Sequence, residues 1–547
     1  MKINSFINNK LSINRLPGAT AEFLRQLFAS NKLVWAVIAF GIVFRIAPYL
    51  YNRSLWIDEA NITGSILGSF SDIFNPSVTD PDYLGHWKSS SPLGFFIIEK
   101  LMVLQFGDTE YALRLFPLLC GIISLILFYL VARKYIKPQA VPVALALFAV
   151  SDTLIYYSSE VHSYSTEIAI ALLLLLAAAY IQSKNSTLIH FVLFGITGGV
   201  VVWFSNSAIF ILAGIGASLF LFSFLRKQWT RAVNLSIAYL LWAVGFLSYY
   251  FIYVGNINKG PIVEQWKAEN AFMPFPPLSP SDLAWYIDTF FSMLAKPTLT
   301  ILQSASMMAV GGMAAFALII GCISICSEKK EKFFILISPM FFALLASGLH
   351  LYPFLERTLL FLAPSFMLFI AEGAGEIRDR TKSSSPVIGI VFICLLLSYP
   401  LLSAINHSFN KPIVREDVKP VLSHVRENWQ EGDMVYLHYG SKPAFKYYAK
   451  RYSFKENDYI VGAYAGDKND FFNFSVDYLK KYTDDLDKLR SYKRVWILFA
   501  HNPPPRAGIR DESFFEYYLN SIGTKLDYFK SIDSAVYLYD FSGQRGT

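Results

Sequence analysis

Apolar runs long enough to cross a lipid bilayer recur along most of this chain, and they constrain its fold more than any other feature. A spanning helix needs about 20 mostly apolar residues, and about eleven runs qualify: roughly 33–51, 112–132, 139–158, 163–182, 187–204, 206–225, 232–254, 300–326, 333–351, 358–374 and 386–404. Charged residues make up only 16% of the chain, against about 25% in soluble domains. The sequence therefore predicts a polytopic α-helical membrane protein.

Lysine and arginine recur in short clusters between these runs, so the net charge of +7 indicates membrane topology and not nucleic-acid binding. The basic segment 1–32 is expected to stay in the cytoplasm. An odd number of spans then places the loop after the first span and the polar tail outside. The predicted organisation is a cytoplasmic N-terminus 1–32, a membrane domain 33–404 with external loops 52–111 and 255–299, and an extracytoplasmic domain 405–547, in the inner cell membrane.

Residues 92–106 (PLGFFIIEKLMVLQF) are apolar but are not counted as a span. The run is short, carries Glu99 and Lys100 in its middle, and would place the basic cluster near Arg133 outside if it crossed. It predicts a helix lying along the membrane interface within the first external loop.

The tail after residue 405 alternates short β-rich runs with helical patterns. The runs MVYLHYG, DYIVGAY, RVWILFAH and AVYLYDF predict strands at 434–440, 458–464, 494–501 and 535–541, and PAFKYYAKRY and SVDYLKKYTDDLDKLRSY predict helices. A C-terminal α/β domain of about 140 residues is therefore expected.

The first external loop contains two adjacent acids, Asp58 and Glu59, directly after a hydrophobic span. Carboxylates at this position cost desolvation free energy unless they face water, a cation or a substrate. They could instead cap the N-terminus of a short helix. Glu160, in YYSSEVHSYS, reaches the same membrane surface between the third and fourth spans, and it too could be a helix cap. Carboxylates that converge at one surface suit glycosyl transfer, in which one acid acts as general base on the acceptor.

Several cations could contact phosphate at this surface. Arg357 stands at the outer end of the tenth span, where it could bind phosphate oxygens or, alternatively, reach lipid headgroups or pair with Glu356. Lys88, Lys296 and Arg114 are weaker candidates for the same contact.

A divalent metal ion is the cofactor left open by the sequence. His86, in GHWKSSSP, could ligate it together with a loop acid. The alternative for His86 is a structural role. The second external loop, 255–299, combines prolines, aromatics and lysines, and could anchor its neighbouring helices or cover a substrate groove.

Four segments, taken in order, resemble the GT-C superfamily of membrane glycosyltransferases, especially bacterial relatives of protein O-mannosyltransferases and the lipid A aminoarabinose transferase. They are WIDEA, SSPLGFFIIEKL followed by FGDTEYALRLFPLLCGI, YYSSEVHSYS, and RTLLFLAPSFMLFIAEG, which together cover most of residues 33–375. The resemblance implies a sugar donor on polyprenyl phosphate, an acceptor that is a lipid, glycan or protein, and inverting transfer on the non-cytoplasmic face.

The same resemblance implies roles for individual residues. Asp58 corresponds to the catalytic base, Glu59 to its partner, Glu160 to the second-loop acid and Arg357 to a phosphate contact. Many relatives carry an arginine two residues after the second-loop acid, where this chain has His162, so that charge does not carry over.

Two other functions fit a polytopic chain with a few acids near the membrane. A polyprenyl-lipid transporter usually places its charges near the bilayer midplane, whereas the acids here are predicted at the outer edge. An O-antigen-ligase or polymerase would also use a polyprenyl-linked sugar, but from a diphosphate donor and without an early Asp-Glu pair. The sequence favours the GT-C transferase over both.

Overall fold

The computed structural model describes residues 31–74, 91–182, 186–256, 260–298, 305–383, 385–410, 412–463, 476–501 and 509–544. Over these ranges the chain is mostly helical, and a five-stranded sheet lies in its C-terminal part. The predicted fold class, a polytopic helical membrane domain followed by an α/β domain, is confirmed.

The membrane domain begins with seven helices that include the first external loop. They are α1 Asn31–Tyr51, α2 Ile57–Leu67, α3 Phe70–Phe74, α4 Leu93–Phe106, α5 Glu110–Tyr135, α6 Val141–Ala149 and α7 Asp152–Tyr157. The remaining helices are α8 Tyr164–Ile181, α9 Leu188–Val201, α10 Ala208–Leu225, α11 Trp229–Ile252, α12 Gly260–Ala268, α13 Pro280–Thr298, α14 Ala305–Glu328, α15 Lys330–Gly348, α16 Ala363–Thr381 and α17 Pro386–Ile405. A 3-10 turn, Glu356–Leu362, leads into α16.

Nine helices in the described ranges are long and apolar enough to cross a membrane. The nine are α1, α5, α8, α10, α11, α14, α15, α16 with its preceding turn, and α17. Two further predicted spans do not form a single long helix. The fifth run forms α9, which has only 14 residues. The third run is broken into α6 and α7, and the carbonyls of Phe148 and Ala149 at the break accept hydrogen bonds from Arg45.

Basic clusters lie at one end of the bundle, where their side chains form ion pairs with acids of neighbouring helices. Lys137 pairs with Glu328 at 2.7 Å, and its backbone N–H donates to Glu372 at 2.8 Å. Arg226 pairs with Glu331, which lies at the start of α15. The sequence predicts that this end faces the cytoplasm.

Two glycines allow α14 and α16 to pack backbone against backbone. A Cβ atom on Gly321 would lie 1.8 Å from the carbonyl oxygen of Phe369, and one on Gly373 would lie 1.8 Å from that of Ala317. Small residues permit this close approach between membrane helices. The contact fixes the helix that follows the turn carrying Arg357.

Helix α4 is the short apolar run that was not counted as a span. Phe95 and Phe96 are buried against the first loop and α5, while Leu101 and Leu104 are exposed. The Lys100 ammonium donates to the backbone carbonyls of Ile66 (2.9 Å) and of Gly68. The helix therefore ties α2 to the bundle.

The C-terminal domain has helices α18 Val418–Glu427, α19 Lys442–Ala449, α20 Val476–Leu486 and α21 Asp511–Ile522, and strands β1 Met434–Leu437, β2 Tyr459–Val461, β3 Arg494–Phe499, β4 Thr524–Ser531 and β5 Ser534–Asp540. The strand order is β2-β1-β3-β5-β4; β1 pairs in parallel with β2 and β3, and β5 pairs antiparallel with β3 and β4. Four strands match the predicted runs. Strand β4 was not predicted because it is a largely exposed edge strand with few apolar residues.

The C-terminal domain packs directly on the first loop. The backbone N–H of Leu55 donates to the Tyr448 hydroxyl at 2.9 Å, and the Tyr447 hydroxyl donates to the Asp108 carbonyl at 2.8 Å. Lys419 pairs with Glu110 at 2.7 Å. These contacts place the domain and the Asp58 loop on the same side of the bundle.

Candidate active site

Asp58 and Arg357 form an ion pair where α2 meets the turn before α16. Their Oδ2 and Nη1 atoms are 2.7 Å apart, and the side chains are 22% and 36% exposed. Asp58 lies in the first turn of α2, where acids interact favourably with the helix dipole. The turn that carries Arg357 is held by the Thr358 hydroxyl, which donates to the Pro353 carbonyl at 2.9 Å. The structure thus brings together two residues that the sequence placed in different loops.

Glu59 turns away from this pair into the protein interior. It accepts hydrogen bonds from Nε (2.9 Å) and Nη2 (2.7 Å) of Arg114 and from the backbone N–H of Val161 (2.9 Å). Burial disfavours its charge, but the charges of Arg114 and Arg53 outweigh burial and hold the pKa of Glu59 below its usual value. Glu59 is therefore an ionised carboxylate inside the fold.

Arg114 is as deeply buried as its partner. It also donates to the backbone carbonyls of Arg53 (2.7 Å) and Ser54 (3.2 Å). Every guanidinium nitrogen is thus bonded to the protein, and the side chain is 1% exposed. This arrangement favours a structural role for Arg114 over the predicted phosphate contact.

Glu160 lies in the turn between α7 and α8 and is fully buried. Its nearest cation is Arg53, at 4.0 Å, and neither carboxylate oxygen accepts a hydrogen bond from the described residues. Burial, reinforced by the charge of Glu59, raises the pKa of Glu160 to about 7, although neighbouring arginines act in the opposite direction. Glu160 can therefore exchange a proton near neutral pH.

Two arginines that the sequence did not single out complete the cluster. Arg53 lies over the Tyr156 ring, 4.5 Å from its centre, and donates to the Ser159 hydroxyl at 2.9 Å. Arg415, from the segment entering the C-terminal domain, lies over Trp56 (4.8 Å) and Tyr156 (5.2 Å). Arg357 also lies over Trp56, at 5.5 Å. Two features of the sequence could have pointed to them: Arg53 directly follows the first span, and Arg415 is the single arginine in the segment KPIVREDVK.

His162, the residue where many relatives carry an arginine, stacks flat on Tyr164. The ring centres are 3.9 Å apart and the planes differ by 4°. Burial lowers the pKa of His162 well below its usual value, with a further contribution from Arg357. The ring is therefore neutral and supplies no charge to the site.

The side chains of the three other predicted site residues, Lys296, Lys88 and His86, are not among those that the structure describes. Lys296 belongs to α13, but the structure does not describe its side chain, and Lys88 and His86 lie outside the described residues. Across the described ranges, no group of three or more His, Cys, Asp or Glu side chains could hold a metal ion. Within the cluster, Asp58, Glu59 and Glu160 each have an arginine as their ion-pair partner.

A cleft of about 550 Å³ lies between the predicted second external loop, 255–299, and the chain that leads into α16. Phe272 and Trp285 of the loop and Phe354 and Glu356 of the turn line it. The loop is tied to the bundle because the Phe354 backbone N–H donates to the Ala271 carbonyl at 2.7 Å.

Comparison with known proteins identifies the fold. The family model for dolichyl-phosphate-mannose-protein mannosyltransferase matches residues 89–200. No curated protein matches the chain significantly. Among solved structures, ArnT from Cupriavidus metallidurans bound to undecaprenyl phosphate is similar with a TM-score of 0.54 and 9% identity, covering 93% of this chain and 98% of that chain. The oligosaccharyltransferase AglB from Archaeoglobus fulgidus, in complex with an inhibitory peptide and a dolichol-phosphate, is similar with a TM-score of 0.53 and 12% identity, covering 92% and 74%.

A second structure of the Archaeoglobus fulgidus oligosaccharyltransferase, in complex with Zn and sulfate, has a TM-score of 0.53 and 12% identity over 84% of this chain and 67% of that chain. At these identities the likeness establishes the fold. The protein is a multi-pass membrane protein with the fold of the GT-C superfamily of glycosyltransferases, which confirms the resemblance seen in its sequence.

Proposed function

We propose that the protein transfers a sugar from a polyprenyl-phosphate donor to a lipid, glycan or protein acceptor on the non-cytoplasmic face of the inner membrane, with inversion at the anomeric carbon. The observation that supports this most is the pairing of Asp58 with Arg357 in a cluster of arginines at one end of the bundle. A base and phosphate-binding cations are the two elements that such a transfer needs.

Asp58 is the proposed general base. An acceptor hydroxyl is a poor nucleophile near neutral pH until its proton is removed. As the new bond forms between the acceptor oxygen and the anomeric carbon, the hydroxyl proton passes to the Asp58 carboxylate. The bond from that carbon to the phosphate oxygen breaks, and its electron pair leaves with polyprenyl phosphate.

Arg357 is the proposed phosphate contact. A phosphate leaving group needs charge stabilisation more than a proton, and a guanidinium forms two directed hydrogen bonds to phosphate oxygens. In the structure, however, Arg357 bonds to the Asp58 oxygen that would receive the proton. The donor phosphate would compete for Arg357 and release Asp58, so that the base becomes available when donor is bound.

Glu59 and Glu160 support the site in different ways. Glu59 fixes Arg114 and the backbone of residue 161, and so holds α2 against the turn that carries Glu160. We assign Glu59 a positioning role. Glu160, close to Arg53 and able to exchange a proton near pH 7, adjusts the net charge of the cluster.

The test is incubation of the purified protein with a panel of polyprenyl-phosphate sugars and assay of released polyprenyl phosphate. We expect release with at least one donor when an acceptor is added, and release slowed about 100-fold or more in the Asp58→Asn variant. Diphosphate-linked sugars form a parallel arm, because activity with these donors alone would favour a ligase or polymerase. Movement of lipid-linked sugar across proteoliposomes without release would favour a transporter.

A further inference from the structure

The connector segment, residues 412–417, joins the helical bundle to the α/β domain and passes along the candidate site. Glu416 accepts a hydrogen bond from the backbone N–H of Ile57 (2.7 Å), the first residue of α2, and lies 2.6 Å from Nδ1 of His501. Asp417 accepts a hydrogen bond from the Ser54 hydroxyl at 2.6 Å. The connector segment is thus fixed to the helix that carries Asp58.

This anchoring presents Arg415 to the arginine cluster. Its guanidinium is held over Trp56 and Tyr156, contacts that orient the plane of the group. Arg114 is bonded to Glu59, and Arg357 to Asp58, whereas Arg415 donates no hydrogen bond to any residue in the described part of the chain. Its donors are available to a ligand.

Buried donors near Arg415 also lack a hydrogen-bond acceptor within the described residues, although Nη2 of Arg53 lies 4.0 Å from the Glu160 carboxylate. They are Nε and Nη2 of Arg53, Nε1 of Trp56 and the hydroxyl of Tyr156. The Arg53 side chain is 2% exposed, so these nitrogens are removed from water. Buried donors without acceptors are unfavourable, and a ligand that brings several acceptor oxygens would satisfy them.

The charges of the cluster point to an anion. The cluster holds three arginines, Arg53, Arg357 and Arg415, and two acids, Asp58 and Glu160, while the neighbouring Glu416 has His501 as its own partner. A ligand with one negative charge and several oxygens matches the excess of positive charge, and phosphate is the group with this chemistry that the proposed donor carries.

We propose that Arg415 binds the phosphate group of the lipid carrier, together with Arg357, so that the connector segment forms part of the donor site. The proposal rests on the proposed function. It gives the connector segment a role beyond linking two domains: the contacts of Glu416 and Asp417 set the position of a residue that touches substrate.

The experiment compares binding of undecaprenyl phosphate, undecaprenol and inorganic phosphate to the full-length protein by native mass spectrometry. The variants are Arg415→Gln and Arg415→Lys. Arg426→Gln is the matched control, because Arg426 also lies over two aromatic rings, those of Trp429 and Phe454, in the same domain.

Arg415→Gln is expected to weaken undecaprenyl phosphate binding about 10- to 100-fold, the usual contribution of a charged hydrogen bond, and to leave undecaprenol binding unchanged. Arg415→Lys should lose less of the affinity for undecaprenyl phosphate. It still tests the contact if the Arg415→Gln variant fails to fold. Arg426→Gln should bind both lipids like the wild type.

Three results would overturn the proposal: unchanged undecaprenyl phosphate binding in both Arg415 variants, equal loss of both lipids, or loss of inorganic phosphate binding alone. Failure of the proposed function gives a different pattern. In that case the wild-type protein itself would bind undecaprenyl phosphate no better than undecaprenol.

Discussion

Asp58 and Arg357 are 299 positions apart in the chain, yet Nη1 of Arg357 lies 2.7 Å from Oδ2 of Asp58. The pair joins the first turn of α2 to the turn before α16, and so connects the segment that follows α1 with a late part of the bundle. Because each partner has a separate proposed role, the ion pair ties the availability of the base to the position of the phosphate-binding arginine. Substitution of each partner should therefore give a distinct result.

Asp58→Asn should lower transfer by about 100-fold or more, because the amide keeps the size and hydrogen bonding of the side chain but cannot accept the proton. Donor binding should equal or exceed that of the wild type, because Arg357 no longer pairs with a carboxylate, and the melting temperature should stay close to that of the wild type. The measurement is product formation together with binding of undecaprenyl phosphate. Asp108→Asn serves as the control, since Asp108 is an exposed acid on the same face that pairs with Arg451 at 3.3 Å. Near wild-type transfer by a folded, donor-binding Asp58→Asn protein would remove the base assignment.

Arg357→Ala should weaken donor binding about 10- to 100-fold, because the phosphate loses a charged hydrogen bond worth about 1.5–3 kcal/mol. Arg357→Lys should recover only part of this loss, because an ammonium group cannot form the two-pronged contact. Titration with undecaprenyl phosphate measures both effects. Arg380→Ala is the control, since Arg380 is an exposed arginine at the far end of α16, the helix that follows the turn carrying Arg357. Equal donor affinity in Arg357→Ala and the control would assign Arg357 to a structural or lipid-headgroup contact.

Glu59→Gln should destabilise the protein, because it leaves the charge of Arg114 buried without its partner. Breaking a buried ion pair in this way typically costs about 3–5 kcal/mol. The melting temperature and donor binding should fall together, unlike in Asp58→Asn. The double variant Glu59→Gln/Arg114→Gln should recover part of the lost stability, since no unpaired charge remains. A Glu59→Gln protein with unchanged melting temperature but reduced turnover would instead place Glu59 in the chemistry.

The sequence predicted the membrane helices because the bilayer demands long apolar runs, and this demand acts within each segment. It could not predict the break between α6 and α7, because the carbonyls there are satisfied by Arg45, about a hundred positions away. Strand β4 was missed for a related reason: pairing with β5 defines it, not its own apolar pattern.

The candidate site was predicted only in part, because charges near one membrane surface look alike in sequence. Arg114 resembled a phosphate contact, and only the folded chain shows it enclosed by Glu59 and backbone carbonyls. Arg415 lies in a polar stretch with other charged residues. Its position beside the cluster depends on the hydrogen bond from the Ile57 backbone N–H to Glu416, which brings the connector segment to α2.

Glu160 provides a prediction that depends on pH. Its pKa in the folded protein is about 7, raised mainly by burial, whereas an unperturbed glutamate has a pKa of about 4.3. Below pH about 4.3 the carboxyl group is neutral in both states, and its contribution to stability is fully present. As the pH rises to and beyond 7, the unfolded chain gains a well-hydrated charge, whereas the folded protein must ionise a buried group, so this contribution is lost.

Glu160→Gln stays neutral at every pH and does not undergo this loss. The difference in melting temperature between Glu160→Gln and the wild type should therefore shift in favour of the variant between pH 5 and pH 8, by about 2 °C or more. Thermal unfolding of both proteins across this range measures it, and Glu264→Gln, at an exposed glutamate paired with Lys267, should show no such trend. The absence of any shift between pH 5 and pH 8 would mean that Glu160 is ionised over this whole range in the folded protein and is stabilised by Arg53.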